Sequence, residues 1–223
     1  MKPMYKTQQG FTLVEIAIVL VIIGLLLGGI LKGQEMITQA KIKNVIADMS
    51  GVSAAMYGYQ DRYKALPGDD KKSDRWGLTV PATAGNGIIE GKWTETGKET
   101  LDFWDHLRRA GFISGSGTDN PFNAVSGKMG VQTGNGAAVP LGILSDGAVA
   151  PATPTKFSSL MLCSGNLPDK IAISVDSQMD DGDGKKGSVR GVKQDAPNPA
   201  TIADDATAYA EDGVSTYLVC RLM

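Results

Sequence analysis

One apolar run near the start of this chain constrains its fold more than any other feature. From Ile16 to Leu31 there is no polar side chain, and the run extends back to Phe11 with little interruption. A membrane span needs about 20 apolar residues at about 1.5 Å of rise each, and Phe11–Leu31 meets that length. The run is too long for the core of a secretory signal peptide, and no small-x-small cleavage pattern follows it. On hydropathy alone, a plain single-span anchor and a signal peptide are the simplest readings. The segment ahead, MKPMYKTQQG, is short and polar, with Lys2 and Lys6 and no acid.

Glu15 breaks the pattern one turn inside the run. A carboxylate at the centre of a bilayer costs about 2.5–3.5 kcal/mol, and less near an end. The nearest cations, Lys6 and Lys32, lie outside the run on opposite sides, so the segment supplies no counter-charge. Either the partner sits on another chain, or the carboxylate snorkels to the headgroups as a tolerated interface residue.

Gly10-Phe11-Thr12-Leu13-Val14-Glu15, between a short basic leader and a long apolar helix, resembles the class III signal of type IV pilins and type II secretion pseudopilins. The resemblance is specific over roughly residues 1–65 and weak beyond. It implies cleavage between Gly10 and Phe11 by a prepilin peptidase, followed by methylation of the new Phe11 amino group. It also implies that Glu15 pairs with the Phe11 ammonium of a neighbouring subunit during assembly on an inner-membrane platform. The implied fold is α+β: a long N-terminal helix packed on a small C-terminal antiparallel-sheet domain. The corresponding division is leader 1–10, membrane half of the helix 11–32, amphipathic half 33–65 and exported domain 66–223. The protein would be single-pass in the inner membrane with its C-terminal domain periplasmic, and after assembly part of a periplasmic or surface filament.

The residues after Lys32 agree with a helix that continues. Ile42, Val45, Met49, Val52, Met56, Tyr59 and Tyr63 recur in alternating steps of three and four, which puts them on one helical face. Lys41, Lys43, Asn44, Asp48, Gln60 and Arg62 fall on the other. Pro67-Gly68 ends the run, because proline disfavours helix in the residue before it. A helix from Phe11 to Lys64 would be roughly 80 Å long. Many pilins carry a proline in the membrane half; this chain has Lys32 at the equivalent position, with Gly24, Gly28, Gly29 and Gly33 nearby. Gly28-Gly29 is a candidate soft spot, each glycine costing about 1 kcal/mol against alanine. Close helix packing through Gly24 and Gly28 is the alternative.

In the remainder, Glu99–Ala110 is expected to be a helix with Leu101, Trp104 and Leu107 on one face and Gly111 as its stop. Gly115–Gly136 is rich in Gly, Ser and Asn and is expected to be loop. Ser158–Cys163 and Ser215–Leu222 are expected strands. Asp169–Met179 fits a helix better than it fits alternation. The stretch from Tyr59 through Ala65-Leu66-Pro67-Gly68-Asp69 is similar to one found in a pilin-like subgroup.

Chemistry is scarce. His106 is the single histidine, which leaves little for catalytic triads, general-base pairs or zinc sites. No glycine-rich stretch ends in the Lys-Ser/Thr of a phosphate-binding loop; Gly127-Lys128-Met129 is the nearest and fails. The net charge of −2, from 22 basic and 24 acidic residues, gives no reason to expect a nucleic-acid partner. Cys163 and Cys220 fit no metal spacing; in an exported protein they are expected to pair. A C-terminal disulfide loop is typical of type IV pilins and less so of the main secretion pseudopilin. Asp176, Asp180, Asp181 and Asp183 form an acidic cluster, with Asp180, Asp181 and Asp183 as the candidate Ca²⁺ ligands. A solvated Asp-Gly turn is the plainer reading, since the EF-hand pattern is not met and Lys185 and Lys186 sit in the loop. Some pseudopilins bind calcium in such a loop; no other cofactor is expected. The functional reading is therefore a structural subunit of a type IV pilus-like filament, with a type II secretion pseudopilin as the alternative. A membrane-tethered periplasmic enzyme or binding protein is the alternative of a different class.

Overall fold

The computed structural model describes residues 12–148 and 153–223. It contains two compact units, one ending at Ala40 and one running from Lys41 to Met223. Helix α1 (Leu13–Tyr63) supplies all the regular structure of the first unit and the opening of the second.

In the second unit, Ile42, Val45, Met49, Val52, Ala55, Met56 and Tyr59 of α1 are buried. This is the predicted stripe with Ala55 added, and Tyr63 closes it half-buried. The helix stops where Lys64 turns left-handed at φ 55°, before Pro67. Helix α2 (Glu99–Arg109) buries Leu101, Trp104 and Leu107 as expected, and Gly111 follows at φ +78°. Helix α3 (Asp169–Met179) confirms the helical reading of that segment.

The sheet has four strands in the order β1-β2-β4-β3, every neighbouring pair antiparallel. The strands are β1 (Met129–Thr133), β2 (Leu160–Pro168), β3 (Val189–Lys193) and β4 (Thr216–Leu222). The architecture is the α+β pilin fold expected from the resemblance. Two details correct the sequence reading. The expected loop Gly115–Gly136 contains β1, and β3 carried no recognised signal at all. Both strands are five residues long and interrupted by glycine. Each glycine answers a tertiary demand: a Cβ on Gly130 would strike the backbone oxygen of Trp93, and one on Gly191 would strike the Tyr209 ring. Strand propensity is weakened there for packing reasons.

Alternation along the strands feeds two cores. Val131, Leu162, Leu167, Tyr217 and Val219 join the helices in the first. Met161, Cys163, Val192, Leu218 and Cys220 point to the other face, where Trp93, Ile143, Leu144 and Phe157 from loops cover them. A sheet covered on both faces has strands that read as nearly unbroken apolar runs, which is why β2 and β4 were visible in the sequence. Cys163 and Cys220 are register partners on β2 and β4, and their sulfurs are bonded. The bridge closes a chain separation of 57 residues, worth about 2–4 kcal/mol.

Candidate functional site

In the first unit, every large apolar side chain from Leu13 to Leu31 is at least 46% exposed. A helix that is apolar all round is stable only when lipid or other protein surrounds it, and this one is long and apolar enough to cross a membrane.

Glu15 sits in the first turn of α1, and its environment corrects the sequence reading. One carboxylate oxygen accepts both the Thr12 backbone N–H and the Thr12 hydroxyl, each at 2.9 Å. The Glu15 N–H lies 3.3 Å from the Thr12 hydroxyl oxygen. This is a reciprocal capping box. The segment therefore does supply partners, although neutral ones. The Thr-x-x-Glu spacing was the signal that could have revealed it. Gly10 and Phe11, the expected processing residues, lie outside the described residues.

At the other end of α1, the similar stretch after Tyr59 proves to be a junction. Gly68 sits at φ +90°, and a Cβ there would lie 2.6 Å from the Glu99 carbonyl oxygen, so glycine is required. Its N–H donates to Nδ1 of His106 at 2.8 Å, joining the turn to α2. Asp69 and Asp70 are both 2% exposed. Asp69 accepts the backbone N–H groups of Gly85, Asn86 and Gly87. Asp70 accepts the Tyr59 hydroxyl at 2.6 Å and pairs with Arg75 at 2.9 Å. His106 is thus a neutral acceptor. Burial depresses its pKa to about 4; the Asp70 and Asp105 carboxylates oppose that shift, and the Arg75 and Arg109 guanidiniums reinforce it. It has no exposed face.

The acidic cluster is brought together differently from the expected set. Carboxylate oxygens of Asp176, Asp180 and Asp181 converge within 4.8 Å of one another. Asp183 is not among them: it pairs with Lys186 at 2.8 Å. Asp176 is buried on α3 and accepts the Tyr209 hydroxyl at 2.7 Å and the Gly182 N–H at 3.1 Å. Burial, opposed by those two hydrogen bonds and reinforced by Asp181 and Asp180, raises its pKa to about 6. Asp180 accepts the Ser188 and Val189 N–H groups, and Asp181 the N–H of Asp183. The three carboxylates offer free oxygen lone pairs to a hard cation but only part of the six to eight ligands that Ca²⁺ takes.

Among the described residues, then, the one surface built for something outside the chain is the apolar helix with Glu15 near its start. Comparison with curated proteins and with solved structures returns no match to the chain. A family model described as "Prokaryotic N-terminal methylation motif" matches residues 5–31. The chain carries a class III signal of the type IV pilin and pseudopilin kind, at the head of an α+β fold of pilin type.

Proposed function

We propose that this chain is a structural subunit of a type IV pilus-like filament, anchored in the inner membrane and assembled from it. The observation that carries the proposal is the methylation-motif match over residues 5–31, whose part from Leu13 onward lies on a helix with an exposed apolar surface. Such a motif points to a structural, pilin-like protein rather than an enzyme. Residues 1–10 are then a leader, 11–32 the span, 33–65 the amphipathic half and 66–223 the exported domain. Its partners are prepilin peptidase, the assembly platform, membrane lipid and further copies or related subunits. The Cys163–Cys220 bridge supports a pilus over the main secretion pseudopilus, since a C-terminal disulfide loop is typical of the former.

The test is the mature N-terminus. Intact mass and N-terminal sequencing of protein from its native host should show a chain starting at Phe11 with a methylated amine. A chain starting at Met1, or cut after Leu31, would overturn the proposal.

Calcium is a proposal for the acidic loop, with Asp180 and Asp181 as ligands together with Asp176. Millimolar Ca²⁺ should then raise the melting temperature of the full chain in detergent, and Asp181→Ala should remove the gain. An unchanged melting temperature would leave the three carboxylates as organisers of turns.

A further inference from the structure

Asn-Gly occurs twice in this chain, at Asn86-Gly87 and at Asn135-Gly136. The first is built unlike the second. Both asparagines close a local turn through the side-chain oxygen: Asn86 Oδ1 accepts the Ile88 N–H at 2.8 Å, and Asn135 Oδ1 accepts the Ala137 N–H at 3.3 Å and the Leu141 N–H at 3.0 Å. Such a turn mimics a backbone turn, with the side-chain carbonyl in the place of a main-chain one. The difference lies in what that nitrogen's proton touches. Gly136 donates to a backbone carbonyl, that of Thr133, at 2.8 Å. Gly87 donates to the Asp69 carboxylate at 2.7 Å.

We infer that Asn86-Gly87 is a self-modifying site, at which Asp69 is the general base that closes the Gly87 nitrogen onto the Asn86 side-chain carbonyl. Asp69 takes the proton from the Gly87 nitrogen, whose electron pair bonds to Asn86 Cγ. The charge that develops on Asn86 Oδ1 faces the Ile88 N–H, already at hydrogen-bond distance, where a backbone donor stabilises an oxyanion. The Cγ–Nδ2 bond then breaks. Its nitrogen takes back a proton from Asp69 through solvent and leaves as ammonia. Solvent water opens the five-membered imide at either carbonyl, giving aspartate or isoaspartate; overall, amide and water become carboxylate and ammonium.

The surroundings allow each step. Gly87 holds φ +84°, and a Cβ there would meet nothing within 4 Å, so nothing crowds its Cα. A cleft of about 440 Å³, lined by Tyr63, Asp69, Lys71, Gly85 and Gly87 among others, brings solvent to the reacting atoms. The base itself is fixed: Asp69 is held by the Gly85 and Asn86 N–H groups on its other oxygen. A positioned general base contributes about 10²–10⁴-fold. The opposite reading, in which Asp69 only stiffens the loop and protects it, makes predictions of opposite sign.

The experiment follows both sites in one molecule. Full-length protein in detergent is incubated at neutral pH, and deamidation at Asn86 and Asn135 is timed by peptide mapping with mass spectrometry. Asn86 should react about tenfold or more faster than Asn135. Asp69→Asn should bring Asn86 down to the Asn135 rate. If circular dichroism shows that variant to be unfolded, the pH profile of the wild type decides instead. With hydroxide as base, Asn135 should slow about tenfold per pH unit on acidification, while Asn86, served by its own carboxylate, holds its rate. Asn86 slower than or equal to Asn135, parallel pH profiles, or acceleration by Asp69→Asn in a folded chain would each overturn the inference.

Discussion

Replacing Glu15 with leucine is expected to spare membrane insertion and folding of the second unit, yet to abolish filament formation. Leucine removes a group that opposes burial, so insertion gains up to about 2.5–3.5 kcal/mol near the bilayer centre and less near its edge. The capping bonds to Thr12 are lost, at a cost of about 1 kcal/mol; the two effects leave insertion as good or better. The described hydrogen bonds of Glu15 are local, all to Thr12. What disappears is the one charge inside the apolar run, and with it the proposed pairing to the Phe11 ammonium of a neighbour. In a low-dielectric setting such a pair is far stronger than at a wet surface. It also sets register, because an apolar bundle slides with little penalty and a buried charge penalises every wrong position. Glu15→Gln separates the two roles. It keeps an oxygen for the Thr12 N–H but carries no charge, and should fail to assemble as leucine does. Glu15→Asp, with its charge kept and its reach shortened, should be intermediate. Filament yield is read by shear-fraction immunoblotting and electron microscopy. A wild-type yield from Glu15→Leu, with processing at Phe11 intact, would remove the carboxylate from assembly.

Acid should weaken the second unit through His106. The neutral ring accepts the Gly68 N–H; a protonated ring would turn an N–H toward that N–H inside a dry junction. Burial therefore lowers the folded-state pKa from 6.5 to about 4. The sign follows directly. Unfolded chains bind this proton more readily, so the stabilisation is fully present above pH 6.5, is lost as pH falls toward about 4, and changes no further below. The total is on the order of 3 kcal/mol. His106→Asn places a non-titrating oxygen near the Nδ1 position. It should be less stable than wild type at neutral pH, having lost the ring that packs against Tyr59 and Trp76. Its stability should also fall less on acidification, so that the two curves converge toward about pH 4. Denaturant melts across that window read this directly. Parallel curves would mean that the ring is protonated without penalty.

Local chemistry alone determined a good part of this protein. The length and purity of the run from Ile16 to Leu31 mark a helix long and apolar enough to cross a membrane. The 3-4 stripe from Ile42 to Tyr63 dictates a helix with one buried face, and all but one of its buried side chains were named by spacing. Gly111 ended α2 where a left-handed residue is required, whereas α1 stops at Lys64, three residues ahead of Pro67. Cys163 and Cys220 were paired by compartment and count, but their place as register partners came from the sheet. Tertiary structure decided what depends on contacts distant in sequence. Strands β1 and β3 were hidden because Gly130 and Gly191 yield space to Trp93 and Tyr209. Asp69, Asp70 and His106 look like ordinary surface residues in the sequence, yet a turn at Gly68 buries all three in one junction. The acidic cluster brings together Asp176, Asp180 and Asp181, all named from the sequence, while Asp183, expected among the ligands, pairs with Lys186 instead. Glu15 is the reverse case. Its partner Thr12 was three residues away and legible throughout, since a capping box needs no tertiary structure.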